Sequence, residues 1–144
     1  MEKDYSQILK LIDQQKDNFP LDQSFYIDSD IYDIDLETFF YNQWIFVGHE
    51  SQIKNTGDYF LFEIGNESII IIRDKSSKVN CFYNVCRHRG SHICLEKEGK
   101  TKKLVCPYHA WAYDLEGNLI SARMMDEKFN KNDWSLNKCN SMVY

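Results

Sequence analysis

Apolar positions along the chain change period twice. Tyr5 to Asn18 sets Tyr5, Ile8, Leu9, Leu11 and Ile12 on one broad face with polar residues elsewhere, which predicts an amphipathic helix ending before Pro20. Leu21 to Tyr32 keeps no sustained period and reads as a connecting arm. Asp33 or Asp35 then caps a second predicted helix, Leu36 to Asn42, with Phe39 and Phe40 turned inward. From Trp44 onward the pattern becomes short aromatic and β-branched runs: Trp44 to Val47, Tyr59 to Ile64, Ser68 to Arg73 and Val79 to Val85, separated by turns at Gly57-Asp58, Gly65-Asn66 and Asp74 to Lys78. That spacing predicts an antiparallel meander. Lys97 to Lys103 reads as a solvated loop and Leu104-Val105 as a short strand. Trp111 to Asp114 and Leu119 to Ser121 form a closing hairpin around Leu115-Glu116-Gly117-Asn118. Met124 to Trp134 is polar and aperiodic, Leu136 to Tyr144 reads as extended, and no internal repeat is visible. The predicted class is mainly β with N-terminal helices (α+β), divided into a helical arm (1–43), a β domain (44–126) and the start of a connection (127–144).

Composition narrows the function classes. A chain of 144 residues accommodates one domain with a real core. Its net charge is −5, from 17 basic and 22 acidic side chains with no basic stripe, which argues against a nucleic-acid partner. The start, Met1-Glu-Lys-Asp-Tyr-Ser, lacks the basic and apolar regions of a secretory signal. The longest aliphatic run, Ile69 to Ile72, is far too short to cross a bilayer. The expectation is a cytoplasmic protein without membrane association, whose cysteines stay reduced.

The chemistry lies in two short stretches. Asn84-Val-Cys86-Arg-His88-Arg89-Gly90 and Leu104-Val-Cys106-Pro107-Tyr108-His109-Ala-Trp111 each offer one thiolate and one imidazole. Two sulfurs and two nitrogens suit a tetrahedral zinc or a [2Fe–2S] cluster with histidines on one iron. Zinc fingers usually pair like with like, Cys first and His later, whereas each loop here carries one of each, so the alternation favours iron. Cys86, His88, Cys106 and His109 are the candidate ligands. Gly90 lets backbone amides approach a sulfide, and Pro107 stiffens its loop without adding a donor. Tyr108 and Trp111 read as a lid that keeps water from the metal, or as an edge that docks a partner. His49 reads as satisfying a local hydrogen bond, and His92 is not at ligand spacing. Cys81 reads as a small buried apolar residue, while Cys94 and Cys139 have no motif around them.

The pattern Asn84-x-Cys86-x-His88-Arg89-Gly90-x-x-Ile93, followed by Cys106-Pro-Tyr108-His109-x-Trp111-x-Tyr113-Asp114 with Gly117 and Leu119, resembles the N-terminal Rieske domain of the Rieske non-haem iron oxygenase α subunits. The likeness runs from about Trp44 to Asp126, with Gly48-His49-Glu50, Gly57-Asp58-Tyr59 and Arg73 in register. Cys86-Arg-His88-Arg-Gly-Ser91 and Ala122-Arg123-Met124-Met125 are similar to the branch acting on quaternary amines such as glycine betaine or carnitine. The resemblance implies the Rieske fold, an antiparallel β-sandwich with two cluster-binding loops, and a Rieske-type [2Fe–2S] cofactor. It also implies one-electron transfer, a reductase or ferredoxin as electron donor, and a catalytic oxygenase domain with mononuclear Fe(II) in a ring that is usually a homotrimer. The respiratory Rieske type is set aside, because its loop cysteines are replaced here by Ser91 and Tyr108. Ala110 stands where the family more often has glycine, which strains the loop if the position needs positive φ. No counterpart of the two-histidine, one-carboxylate iron site occurs in the chain. Its end in Ser-Met-Val-Tyr suggests a chain cut short or a strand exchanged with a partner. The expectation is therefore part of an oxidoreductase, redox-active alone but without oxygenase activity. The alternatives are a free-standing Rieske ferredoxin and a zinc-held interaction module.

Overall fold

The structure is a computed structural model that describes residues 5–126 and 128–144. The first four residues of the expected arm, and Glu127 at the expected start of the connection, lie outside the described residues. The chain divides into two compact units, Met1–Phe46 and Val47–Tyr144.

The first unit holds α1 (Ser6–Asp13), α2 (Ser24–Ile27) and α3 (Ser29–Thr38), followed by a 3-10 turn at Phe40–Asn42. α1 ends five residues before the expected limit of Asn18, because the apolar stripe stops at Ile12 and Asn18 takes a positive φ of 64°. The second predicted helix is misplaced. It starts inside the supposed arm, capped by Asp28, whose Oδ1 accepts from the N–H groups of Asp30 and Ile31 at 2.9 and 3.2 Å. Asp33 and Asp35 sit within that helix instead, and its buried positions are Ile31 and Leu36. Phe39 and Phe40, expected to point inward, are exposed and meet edge to face.

The second unit carries both sheets. β1 (Asp58–Ile64), β2 (Glu67–Arg73), β3 (Val79–Tyr83) and β4 (Glu98–Lys100) form an antiparallel sheet in the order β3-β2-β1-β4. β5 (Leu104–Val105), β6 (Ala112–Tyr113) and β7 (Leu119–Ser121) form a second, three-stranded one. This is the mainly antiparallel architecture the strand pattern implied. The unbroken Ile69 to Ile72 run exists because β2 is buried on both faces. Ile70 and Ile72 enter one core with Phe82, Leu104, Trp111 and Tyr113. Ile69 and Ile71 enter another with Ile53, Phe60 and Cys81. Each such burial contributes about 2 kcal/mol.

Three expectations are corrected here. Trp44 to Val47 is not a strand: Trp44 and Phe46 are largely exposed and the sheet begins at Asp58. The lysine-rich stretch expected to be a loop contains β4, exposed throughout yet paired with β1, Tyr59 opposite Gly99. Its side chains point to water, so no hydrophobic period could announce it. Among the described residues, Leu136 to Tyr144 makes one isolated bridge, Phe82 opposite Lys138, instead of a strand.

Candidate metal centre

Both cysteine loops are built on the same backbone turn. In the first, Gly90 N–H donates to Cys86 O at 3.0 Å and Cys86 N–H to Ser91 O at 2.9 Å. In the second, Ala110 N–H donates to Cys106 O at 3.0 Å and Cys106 N–H to Trp111 O at 2.8 Å. The residue four beyond each cysteine sits in the left-handed region, Gly90 at φ 73° and Ala110 at φ 57°. The alanine therefore occupies the strained position its sequence context implied. Sequence reading found no repeat because the equivalence lies in hydrogen bonds. Within the six residues of each turn, side-chain identities differ at every position except cysteine, and the histidine stands two residues after Cys86 but three after Cys106.

The turns bring all four candidate ligands together. Cys86 and Cys106 are both buried in the same core. Burial pushes the Cys86 thiol up, against hydrogen bonds from Tyr113 and the His88 backbone that act downward. The rings of His88 and His109 lie 4.7 Å apart at 73°. The Nδ1 atoms of both are buried and meet no hydrogen-bond partner. Two orphaned imidazole nitrogens side by side carry a desolvation cost that coordination to a cation would offset. Burial, with the neighbouring charges of His109 and Arg89, holds His88 below its ordinary value, so its neutral, metal-binding form persists into mildly acidic solution. Among the described residues, no three or more His, Cys, Asp or Glu side chains converge on a point that could hold a single ion. Two thiols and two imidazoles are the donor set of a [2Fe–2S] cluster that carries histidines on one iron.

The surroundings fix these donors. Tyr113, fully buried on β6, places its Oη 3.4 Å from Cys86 Sγ and accepts from Arg87 N–H at 3.2 Å. Burial raises its pKa far above the ordinary phenol value, so it stays a neutral hydrogen-bond donor. Asn84, also fully buried, closes the other side of the first loop. Its Oδ1 accepts from the N–H groups of Ile93 and Cys94, both at 2.9 Å, and its Nδ2 donates to Cys94 O at 2.8 Å. Trp111 is buried and stacks on His88 at 4.7 Å and 10°. Tyr108 behaves differently: it covers His109 at 3.7 Å but is mostly exposed.

The remaining sequence candidates stay outside. His49 accepts from Ser51 N–H through Nδ1 at 3.2 Å and caps the 3-10 turn Glu50–Gln52, the local role expected of it. His92 is exposed and not drawn into the site. Cys81 and Cys94 are buried thiols and Cys139 is half-buried. Sequence reading missed the segment from Phe129 to Cys139. Phe129 and Trp134 pack on Trp111 with centroids 5.5 and 5.6 Å away. Asn137 Oδ1 accepts from Arg87 Nη1 at 3.0 Å. The buried Leu136 and the two aromatics were the available signal, hidden by the polar residues between them.

The family model described as the Rieske [2Fe-2S] domain matches residues 43–137. The chain belongs to this family. Its cofactor class is accordingly a Rieske-type [2Fe–2S] cluster, and the two thiols and two orphaned imidazole nitrogens fit that group. The Rieske chain is 38% identical over 142 residues to the benzene 1,2-dioxygenase α subunit of Pseudomonas putida, covering 96% of itself and 31% of that protein. It is 41% identical over 105 residues to the glycine betaine monooxygenase oxygenase subunit of Pseudomonas aeruginosa, covering 73% of itself and 24% of that protein. Among solved structures, naphthalene 1,2-dioxygenase from a Rhodococcus species superposes with a TM-score of 0.80 at 29% identity, covering 91% of this chain and 31% of that one. The chain thus spans about a third of the length of the relatives it matches. Among the described residues, no helix is long and apolar enough to cross a membrane.

Proposed function

We propose that this chain is the electron-accepting domain of a Rieske-type oxygenase α subunit. In this reading Cys86 and Cys106 bind one iron, and His88 and His109 bind the other through Nδ1. The observation that carries it is the pair of buried, partnerless Nδ1 atoms on neighbouring histidines, with two buried thiols in the core beneath them. The cluster, when bound, takes up and releases one electron at a time. The chain's residues do the rest. The twin turns hold the donors in place, Tyr113 directs its hydroxyl at the Cys86 sulfur, and Trp111 keeps water from one face of His88.

The activity of a whole oxygenase is part of the same proposal. Electrons arrive from a reductase or ferredoxin and leave to a mononuclear Fe(II) in a catalytic domain outside these 144 residues, in a ring-shaped homotrimer in the cytoplasm. The working division is an arm at 1–43, the cluster domain at 44–126 and a connection from 127 that packs back onto β3 near Lys138. The chain alone would then be redox-active without oxygenating anything. The relatives named above are oxygenase subunits, which favours this role over a free-standing ferredoxin. The quaternary-amine branch draws support from the glycine betaine relative and from Ala122 to Met125.

The test is anaerobic reconstitution followed by iron and acid-labile sulfide analysis. Two irons and two sulfides per chain are expected. Separate His88→Ala and His109→Ala variants should lose the cluster or its spectrum, whereas His92→Ala keeps it. Zinc without sulfide in the purified protein would overturn the reading.

A further inference from the structure

The segment after Asp126 behaves as a strap. Beyond Trp134 it makes three backbone attachments: Leu136 N–H to Gly117 O at 2.8 Å, Tyr83 N–H to Asn137 O at 3.0 Å, and Cys139 N–H to Cys81 O at 3.0 Å. The last two bracket the antiparallel bridge between Phe82 and Lys138, which places Cys139 directly opposite Cys81. Residues facing each other at such a hydrogen-bonded position have Cα atoms about 5.5 Å apart and side chains on the same face. Disulfides span Cα separations of about 4.4–6.8 Å. Both thiols pack into the cluster formed by Ile53, Phe60, Ile69 and Ile71. Each also lines an open groove bordered by Val79, Lys138 and Ser141. Of the three cysteines outside the metal loops, Cys94 packs in the other core, beside Tyr59.

We propose that Cys81 and Cys139 form a cross-strand disulfide site, a redox-operated latch that ties the strap to β3. The chemistry needs a small-molecule disulfide such as oxidised glutathione. The Cys139 thiolate, half-buried and reached first from the groove, attacks one glutathione sulfur. The S–S bond breaks, one glutathione thiolate leaves, and it takes up a proton. Cys81 then loses its proton and displaces the second glutathione. The pair is oxidised by two electrons, and one glutathione disulfide becomes two glutathione thiols. Burial raises both thiols above their ordinary value, so little thiolate exists at neutral pH and the latch closes slowly. It stays open at a reducing cytoplasmic poise and closes when that poise turns oxidising. Once closed it fixes the strap whose Trp134 and Phe129 brace Trp111.

The experiment equilibrates the cluster-loaded chain anaerobically in glutathione buffers of increasing oxidised fraction, then alkylates and maps peptides. The expected result is a Cys81–Cys139 linked peptide, lighter by two hydrogens, that accumulates faster by about tenfold per pH unit below the thiol pKa. Amide exchange at Asn137 to Ser141 should slow in parallel while the cluster spectrum persists. Cys139→Ser, altering a half-buried position, should abolish the link and the slowing. A stable glutathione adduct on Cys139 with Cys81 free, a link to Cys94 instead, or free thiols throughout would each overturn the proposal. None of these outcomes depends on which residues bind iron.

Discussion

Two residues in the loops make opposite demands on their backbone and their side chains. Ala110 holds φ 57° in the position where the first loop has Gly90, so its backbone carries strain of about 1 kcal/mol. Ala110→Gly should therefore raise the midpoint of thermal unfolding, while Gly90→Ala should lower it. Scanning calorimetry of the two variants checks both signs. Tyr113→Phe leaves the ring packed but removes the hydroxyl from Cys86 Sγ and leaves Arg87 N–H without its acceptor. The expected outcome is a loss of about 1 kcal/mol in stability and a lower reduction potential, since a donor directed at a ligand sulfur stabilises the reduced state. A potentiometric titration showing no shift would contradict that role. At this scale much was legible from the sequence. Ligand spacing singled out Cys86, His88, Cys106 and His109, and the atypical alanine betrayed its own strain. The orphaned Nδ1 atoms and the Tyr113 contact were not legible, because they depend on which way rings and hydroxyls face once the strands are paired.

Secondary-structure elements were legible wherever burial was one-sided or complete. β1, β2 and β3 emerged from their apolar runs, and the two aspartate turns from their composition. Those turns are copies of each other. Asp74 Oδ1 accepts from Ser76 and Lys78 N–H, Asp114 Oδ1 accepts from Glu116 and Asn118 N–H, and the fourth residue has positive φ, 64° at Ser77 and 88° at Gly117. Only the second demands glycine for space as well, since a Cβ at 117 would lie 2.5 Å from the Phe82 ring. What failed was the reverse inference, from apolar composition to strand. Trp44 to Val47 is as aromatic as any strand, yet it joins no sheet among the described residues and is largely exposed at Trp44 and Phe46. The strap failed for the opposite reason, since few of its residues are apolar and its attachments are backbone hydrogen bonds. Trp134→Ala removes half the aromatic support behind Trp111 and should destabilise the fold by about 2 kcal/mol. Asn84→Ala, which leaves the buried Ile93 and Cys94 N–H groups unsatisfied, should cost about 3 kcal/mol. Chemical denaturation of both should show Asn84→Ala as the more damaging, although it deletes far less apolar surface.

Over the whole molecule, the cluster loops grow from one core that contains Cys86 and Cys106 themselves together with Ile70, Phe82 and Trp111. Folding and cofactor retention should therefore be lost together. The two cores together also set an alkaline limit. Burial pushes the Cys94 thiol from an ordinary value of 9.0 up to about 11, and Cys81, Cys139, Tyr59, Tyr83 and Tyr113 are raised in the same sense. A raised pKa means the folded state holds its proton more tightly than the unfolded one. The associated stability is fully present below about 9 and drains away as pH climbs through 11. Thermal unfolding midpoints should hold from pH 8 to about 9 and then fall toward 11, by an amount that Cys94→Ala reduces. The hydrophobic period changes near residue 44, and the two compact units divide between Phe46 and Val47. The central claim is narrower, that two imidazole nitrogens and two thiolates share an iron pair. Its most direct measurement is pulsed EPR of the reduced, reconstituted chain carrying nitrogen-15 in its histidine rings. The account predicts two strongly coupled ring nitrogens, both lost when His88 and His109 are replaced and both kept when His49 and His92 are. A reduced protein with no nitrogen coupling, as from a cluster held by sulfur alone, would contradict it.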